Sequence, residues 1–324
     1  AFIGNLMKDN KVCFGILGPG KISHRVMKGI AFADNANVLG VASRDREKAD
    51  EYAALYRIPR VYDDYDEMLK DEEIDIIYIA TIPSVHYQQI MMCLDNHKSV
   101  LCEKPMLTNA EDIKKCFAYA KQQGCFLMEA QKAPFNYLNI EIKKRIDEGL
   151  IGDLKYIEAA YCYDTFATKY DHWVFDYDNG GGMFDVGVYA IAYANMMANS
   201  PIVNIQSMVN RTPRGSDGFA VSMLEYENGV KAVVKGAIEL QTENKAMIYG
   251  TKGYIETYNF WKNDEAIIYL NGQVEKLKVE MPTDFYPEIE HAINCVIEKR
   301  IQSPVMSEWA NMEILKVIDH VKKV

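Results

Sequence analysis

Three groups of residues in this chain have the types and spacing for chemistry. Glu103-Lys104-Pro105 follows a short apolar run, Ser99 to Cys102, and so places an ammonium just past a buried segment. In apolar surroundings an ammonium polarises a carbonyl and eases proton loss from a neighbouring phenol. A surface Glu–Lys pair ahead of a helix is the other reading of these three residues. Asp185 and Tyr189 stand four residues apart in a stretch, Phe184 to Met197, that reads as a helix after the run Gly180-Gly181-Gly182. Helical geometry then puts an acid and a phenol on one face, about a turn apart, where they can jointly grip a hydroxyl or carbonyl. A dipole-favoured N-terminal aspartate above a half-buried tyrosine is the alternative there. The third group is Gly18 and Gly20, which interrupt an apolar segment running from Val12 to Leu17. Gly18 permits a tight turn, Gly20 has no side chain to block an anion approaching the backbone, and Ser23 is small enough for close packing. The helix beginning near Ile22 points its N–H groups at that anion.

A second apolar segment, Val38 to Ala42, follows at the spacing of a strand–helix–strand unit and ends in Ser43-Arg44-Asp45. Dinucleotide sites selective for NAD place an acidic side chain at this point to accept bonds from the ribose hydroxyls. A serine hydroxyl and a guanidinium suit a 2′-phosphate instead, so the expected cofactor is NADP(H). NAD(H) is the alternative, with Arg44 a solvated charge and Asp45 on the ribose. A further candidate contact segment is Thr81-Ile82-Pro83-Ser84-Val85-His86, directly after the apolar run Ile74 to Ala80. Pro83 stiffens the turn, Thr81 can bond a cofactor, and Ser84 is expected to cap the next helix. His86 has two open readings, ligand contact or packing. Lys21, Ile22 and Glu103 complete the candidate cofactor contacts, and no metal site is expected.

The elements that must position these groups alternate strand-like and helix-like up to about residue 130, the pattern of a doubly wound parallel sheet. Helices are expected at Arg46 to Tyr56, His86 to Asn96 and Ala110 to Gln123, the last closed by Gly124. After about residue 154 strands separated by turn signals take over. Asn228-Gly229 and Asn271-Gly272 each predict a hairpin with a type I′ turn. Further helices are expected at Pro134 to Asp147, Pro287 to Ile297 and Ser307 to Val321. The expected architecture is therefore an N-terminal Rossmann domain, residues 1–130, followed by an α+β domain, residues 131–324, with a large open, mostly antiparallel sheet. A chain of 324 residues exceeds the usual single-core range, which agrees with two domains.

Composition excludes several function classes. A formal charge of −10 repels nucleic acid and anionic membrane surfaces, though it leaves room for a local basic pocket. No apolar run approaches the roughly 20 residues that a membrane helix needs, and the N-terminal stretch lacks a secretory leader pattern. The seven cysteines are odd in number and never arranged C-x-x-C, so neither a disulfide framework nor a zinc site is signalled. A cytoplasmic protein is expected.

Gly18 to Ser23, Ala80-Thr81-Ile82-Pro83, Glu103-Lys104-Pro105, Leu127 to Ala130 and Asp185 to Tyr189 occur together in this order. In that set the chain resembles the Gfo/Idh/MocA oxidoreductases, from Val12 into the C-terminal helices. With tyrosine rather than histidine at 189 it is similar to the branch of dimeric dihydrodiol dehydrogenase and glucose–fructose oxidoreductase. That resemblance implies NADP, hydride transfer between nicotinamide and a carbonyl or hydroxyl of a sugar, polyol or related small molecule, Tyr189 as proton donor, and Lys104 and Asp185 as its catalytic partners. It also implies a homodimer formed through the open sheet face. The run Gln131 to Asn136 departs from the tryptophan and Arg-Phe pair of dihydrodiol dehydrogenases. Oxidation of an arene trans-dihydrodiol is the alternative activity, and a non-catalytic NADPH sensor the alternative of another class. His172 and Trp173 are candidate substrate contacts.

Overall fold

The computed structural model describes residues 11–166 and 170–324, so the N-terminal stretch read above for a leader lies outside the described residues. The chain forms two compact units. The first comprises residues up to Gln131 together with Phe285–Glu308, and the second Lys132–Asp284 together with Trp309–Val324.

In the first unit, β1 (Val12–Leu17), α1 (Lys21–Ile30), β2 (Ala36–Ala42), α2 (Arg46–Tyr56), β3 (Arg60–Tyr62), α3 (Tyr65–Leu69), β4 (Ile76–Ile79), α4 (His86–Asp95), β5 (Ser99–Glu103), α5 (Ala110–Gln123) and β6 (Leu127–Ala130) alternate along the chain. The six strands pair in parallel in the order β3-β2-β1-β4-β5-β6. This is the doubly wound order, whose reversal beside β1 opens a crevice at the strands' carboxyl ends. β1 and β4 are buried at every residue, as central strands covered on both faces must be. Gly124 ends α5 in the left-handed conformation, as expected.

The second unit begins with α6 (Tyr137–Asp147) and β7 (Leu154–Cys162), then α7 (Val188–Ala198) and strands β8 (Ile202–Arg211), β9 (Asp217–Tyr226), β10 (Lys231–Ala237), β11 (Lys245–Gly250), β12 (Gly253–Tyr258), β13 (Glu265–Leu270) and β14 (Gln273–Lys278). Eight strands form one sheet in the order β14-β13-β12-β11-β7-β10-β9-β8. β7 and β10 pair in parallel and every other pair is antiparallel. α7 is apolar almost all round and buried at nearly every residue against one face of this sheet.

Four expectations change. The segment 131–324 does not stay in one unit, because α8 (Tyr286–Ile297) packs on α1 and the chain after it pairs with β6 through Leu127 N and Ile301 O at 3.1 Å. Ile289 and Phe285 fill the space that Gly29 leaves open, a long-range fit invisible to periodicity. α9 (Glu308–Lys323) then carries the chain back to the second unit. Asn271 and Gly272 both have positive φ, 53° and 72°, and form the type I′ turn. At the other hairpin only Gly229 does, at 91°, and Tyr226 O accepts from Gly229 N while Tyr226 N donates to Val230 O, each at 2.9 Å. That is a type I turn closed by a glycine bulge, a three-residue loop rather than a two-residue one. Ser84 caps nothing, since Pro83–Val85 is a 3₁₀ turn running straight into α4.

The fourth change concerns the expected helix Phe184 to Met197. Met183–Gly187 is a π-helical turn, and the α-helix starts only at Val188. The turn lies backbone against backbone on β10. A Cβ on Gly182 would come within 2.8 Å of Ala237 Cα and 2.9 Å of Ala237 N. Neither atom can give way, so Gly182→Ala should destabilise the second unit by about 1–3 kcal/mol. A lowered urea midpoint by far-UV circular dichroism is the expected result, and an unchanged midpoint would contradict the close packing.

Candidate active site

In the first unit the candidate groups cluster at the carboxyl ends of β1, β2, β4 and β5. The chain leaves β1 through Gly18, whose φ of 85° suits glycine, and a Cβ there would strike Thr81 Cγ2 at 2.7 Å. α1 starts at Lys21 with Gly20 at its N-cap, no side-chain cap and no acidic residue in its first turn. Its first N–H groups and the helix dipole are thus left for an external anion. Ser23 is buried and its hydroxyl donates to Gly20 O at 2.6 Å, which ties the turn to the helix. Lys21 is exposed and Ile22 half-buried at this mouth. This open end fits the diphosphate of a dinucleotide.

At the end of β2, Asp45 is the N-cap of α2 and its carboxylate accepts from Lys48 N at 3.3 Å. Ser43 Oγ accepts from Asp45 N at 3.1 Å, which leaves its hydroxyl hydrogen to donate. Arg44 is exposed. The acid caps its own helix, while Ser43, half-buried, has a hydroxyl hydrogen to give and Arg44 is exposed.

The loop carrying Lys104 is held from two sides. His86 is fully buried, with Nδ1 at 2.9 Å from Pro105 O and 3.0 Å from Met106 O, and Nε2 at 2.9 Å from Thr81 O. Burial pushes the imidazole below its ordinary value, against the pull of those carbonyl oxygens toward the charged form. Glu129, on β6, accepts from Met106 N at 2.9 Å, and burial raises its carboxyl. His86 therefore fastens the Thr81 turn to the Lys104 loop rather than meeting a ligand, so of its two readings packing replaces cofactor contact. Thr81 donates its hydroxyl to Gln89, Pro83 and Glu103 are buried, and Lys104 is partly exposed next to a cis Lys104–Pro105 bond.

In the second unit Tyr189 is 7% exposed on the first turn of α7. Tyr161 of β7 meets its ring edge-on at 5.7 Å, Trp261 lies at 6.3 Å, and Lys132 Nζ sits 5.9 Å from its ring centre. Asp185 lies in the π turn and accepts from Tyr163 Oη at 2.6 Å. The tyrosine phenol is pushed well up by burial first and by the Asp185 charge second. Asp185 and Tyr189 are thus separated by a π-to-α junction rather than stacked on one regular helix, since the wider turn inserts a residue. His172 is exposed and its Nδ1 accepts from Val174 N at 3.1 Å, a local cap for the 3₁₀ turn Trp173–Phe175. Trp173 packs, half-buried, on Val174, Phe175 and Ile238. These two have structural employment that accounts for them. Lys132, Tyr161, Trp261 and Asp284 were not singled out by sequence reasoning. Only Lys132 carried a signal, within the departing run Gln131 to Asn136.

Taken together, an open helix end at a switch point of a parallel sheet, and a buried tyrosine among aromatic rings, define a dinucleotide-dependent oxidoreductase. Residues 12–131 match the oxidoreductase family with an NAD-binding Rossmann fold, and residues 140–256 match the GFO/IDH/MocA C-terminal domain. The chain is 31% identical over 319 residues to trans-1,2-dihydrobenzene-1,2-diol dehydrogenase of Xenopus laevis, covering 94% of this chain and 95% of that one. The human protein of that name is 27% identical over 324 residues, with 96% of each chain covered. The fold is shared with an aldose-aldose oxidoreductase from Caulobacter crescentus complexed with glycerol, at a TM-score of 0.88, 22% identity and 97% coverage of both chains. It is also shared with a 3-ketoreductase from Actinomadura kijaniata in complex with TDP-benzene and NADP, at a TM-score of 0.83, 19% identity and 97% coverage of both. The chain belongs to the Gfo/Idh/MocA oxidoreductase family.

Behind the π turn, Asp217 Oδ2 accepts from Met183 N at 2.7 Å, and burial pushes its carboxyl up to about 6. Because the folded value lies above the unfolded one of about 3.9, its contribution is full below pH 4 and lost as pH rises through 6. Wild type should therefore lose about 2 kcal/mol relative to Asp217→Asn between pH 4 and pH 7. Urea midpoints of both proteins across that range check this, and a constant difference would contradict it.

Proposed function

We propose that this enzyme uses NADP(H) to interconvert a carbonyl and a hydroxyl on a sugar, polyol or related small molecule. The observation that carries the cofactor choice is the commitment of Asp45 to capping α2 while Ser43 has a hydroxyl hydrogen to give and Arg44 is exposed. The α1 end and Gly20 would hold the diphosphate, and Ser43 and Arg44 the 2′-phosphate. When bound, the nicotinamide exchanges a hydride with the substrate carbon. Tyr189 donates the proton that the carbonyl oxygen needs as it becomes a hydroxyl, and takes one back in the oxidation direction. Lys104 stabilises negative charge on the reacting oxygen, and Asp185, held by Tyr163, orients a substrate hydroxyl.

Oxidation of an arene trans-dihydrodiol is the second reading, favoured by the 31% relative of that activity and by the rings of Tyr161 and Trp261, whose centres lie 3.7 Å apart. A homodimer through the sheet face opposite α7 belongs to the same proposal. On that face the rings of Tyr156, Tyr249, Tyr254 and Tyr269 line up, and Met208 and Met223 are exposed. None of the seven cysteines forms a disulfide and all are buried, which supports a reducing, cytoplasmic location.

Fluorescence titration should give tighter binding of NADPH than of NADH, and Arg44→Ala should weaken NADPH about tenfold while leaving NADH unaffected. Equal loss for both cofactors would remove Arg44 from the 2′-phosphate site. Tyr189→Phe should bind NADPH normally and lose about 10²–10⁴-fold in turnover on whichever carbonyl sugar or trans-dihydrodiol the wild type accepts. Retained turnover would remove Tyr189 as the proton donor.

A further inference from the structure

The ease with which Tyr189 gives up a proton depends on the charges around its ring. Within the second unit that ring meets the neutral rings of Tyr161 and Trp261 and one ammonium, that of Lys132, among the described residues. Lys132 is 6% exposed and its Nζ donates to Asp284 Oδ2 at 2.7 Å. Taking a lysine out of water is unfavourable unless it is well paired, and a buried pair is seldom more stabilising than apolar side chains of the same volume. Stability therefore gives little reason for this pair. What an apolar replacement could not supply is positive charge 5.9 Å from the centre of the Tyr189 ring.

We propose that Lys132 is a positioning residue for Tyr189, held in place by Asp284. Its charge on the ring anchors the phenol and stabilises the phenolate left when the proton passes to the substrate oxygen. Asp284 accepts a hydrogen bond from the ammonium and so directs it, while its own partial exposure leaves part of its charge screened by water. Lys132 acts through the tyrosine and neither gives nor takes the proton. The surrounding fold is built to keep it there. Asn136 caps α6 by accepting from Asn139 N and donates to Asn263 O at 3.1 Å, and Asn139 donates to both Ala133 O and Phe260 O. The segment that follows Lys132 is thereby tied to the loop that carries Trp261.

This inference rests on Tyr189 being the proton donor, and its test is a double-mutant cycle. Lys132→Met and Lys132→Arg are made in the wild type and in Tyr189→Phe, and kcat, KM and NADPH affinity are measured for each. Lys132→Met should lower kcat about tenfold with KM and NADPH affinity within about twofold of wild type, and Lys132→Arg should recover most of the loss. In the Tyr189→Phe background Lys132→Met should change kcat no further. An equal loss in both backgrounds, a rise in KM at constant kcat, or failure of arginine to rescue would overturn the proposal. Should Lys132→Met not fold, Asp284→Asn serves in its place, since it leaves the ammonium present but undirected. It should lower kcat only where Tyr189 is intact, and an equal effect in both backgrounds would again overturn the proposal. Wild-type turnover in Tyr189→Phe alone would instead sink the function on which the inference rests.

Discussion

The backbone of Gly182 lies against that of Ala237, and the arrangement of the second unit around Tyr189 depends on that contact. Side chains cannot enter such an approach, so glycine is required on both elements, at Gly182 and Gly236. The chain is thereby brought onto β10 too closely for a regular helical start and takes up the slack in a π turn, Met183–Gly187. Asp217 satisfies the first amide of that turn from below. Tyr189 then leaves the first turn of α7 to pack among Tyr161, Trp261 and Lys132. Single π turns within α-helices are frequent at functional sites.

Electrostatics follow from which charges are already engaged. The chain carries a formal charge of −10, yet four of the carboxylates described above are engaged by internal partners, two in each unit. Asp45 caps α2, Glu129 binds Met106 N, Asp185 receives Tyr163 and Asp284 receives Lys132. The helix end at Gly20 carries no acid at all. An overall acidic protein can in this way keep a local surface suited to phosphates and to developing negative charge, because binding senses the nearest fixed dipoles and unspent charges before the distant net field.

Much of the first unit was legible in the sequence. β1 with its glycine turn, α2 from Arg46 to Tyr56 and the Gly124 cap of α5 depend on contacts within a few residues, and local pattern is sufficient for those. The same holds for the Asn271-Gly272 turn, where both residues take the positive φ their types favour. Asn228-Gly229 has the same letters but sits in a longer loop, because the register of β9 on β10 places Tyr226 opposite Val230. The candidate site divides along the same line. Gly18, Gly20, Ser43, Arg44 and Lys104 lie just past strand ends and are legible as candidates from local pattern alone. Lys132 meets Trp261 and Asp284 across more than a hundred residues of chain, and none of the three left a periodic signal.

The sequence by itself therefore determined the succession of elements, the open helix end after β1, the serine and arginine after β2, and the presence of a lysine and a tyrosine suited to proton and hydride chemistry. These are consequences of residue type acting over one or two turns of chain. Tertiary structure alone decided that Asp45 is spent on its own helix, that His86 braces a loop instead of facing a ligand, that α8 returns to the first unit, and that Lys132 stands over Tyr189. Each of those turns on which polar group finds a partner across the fold when water is removed, and that competition is settled only once the distant segments have packed.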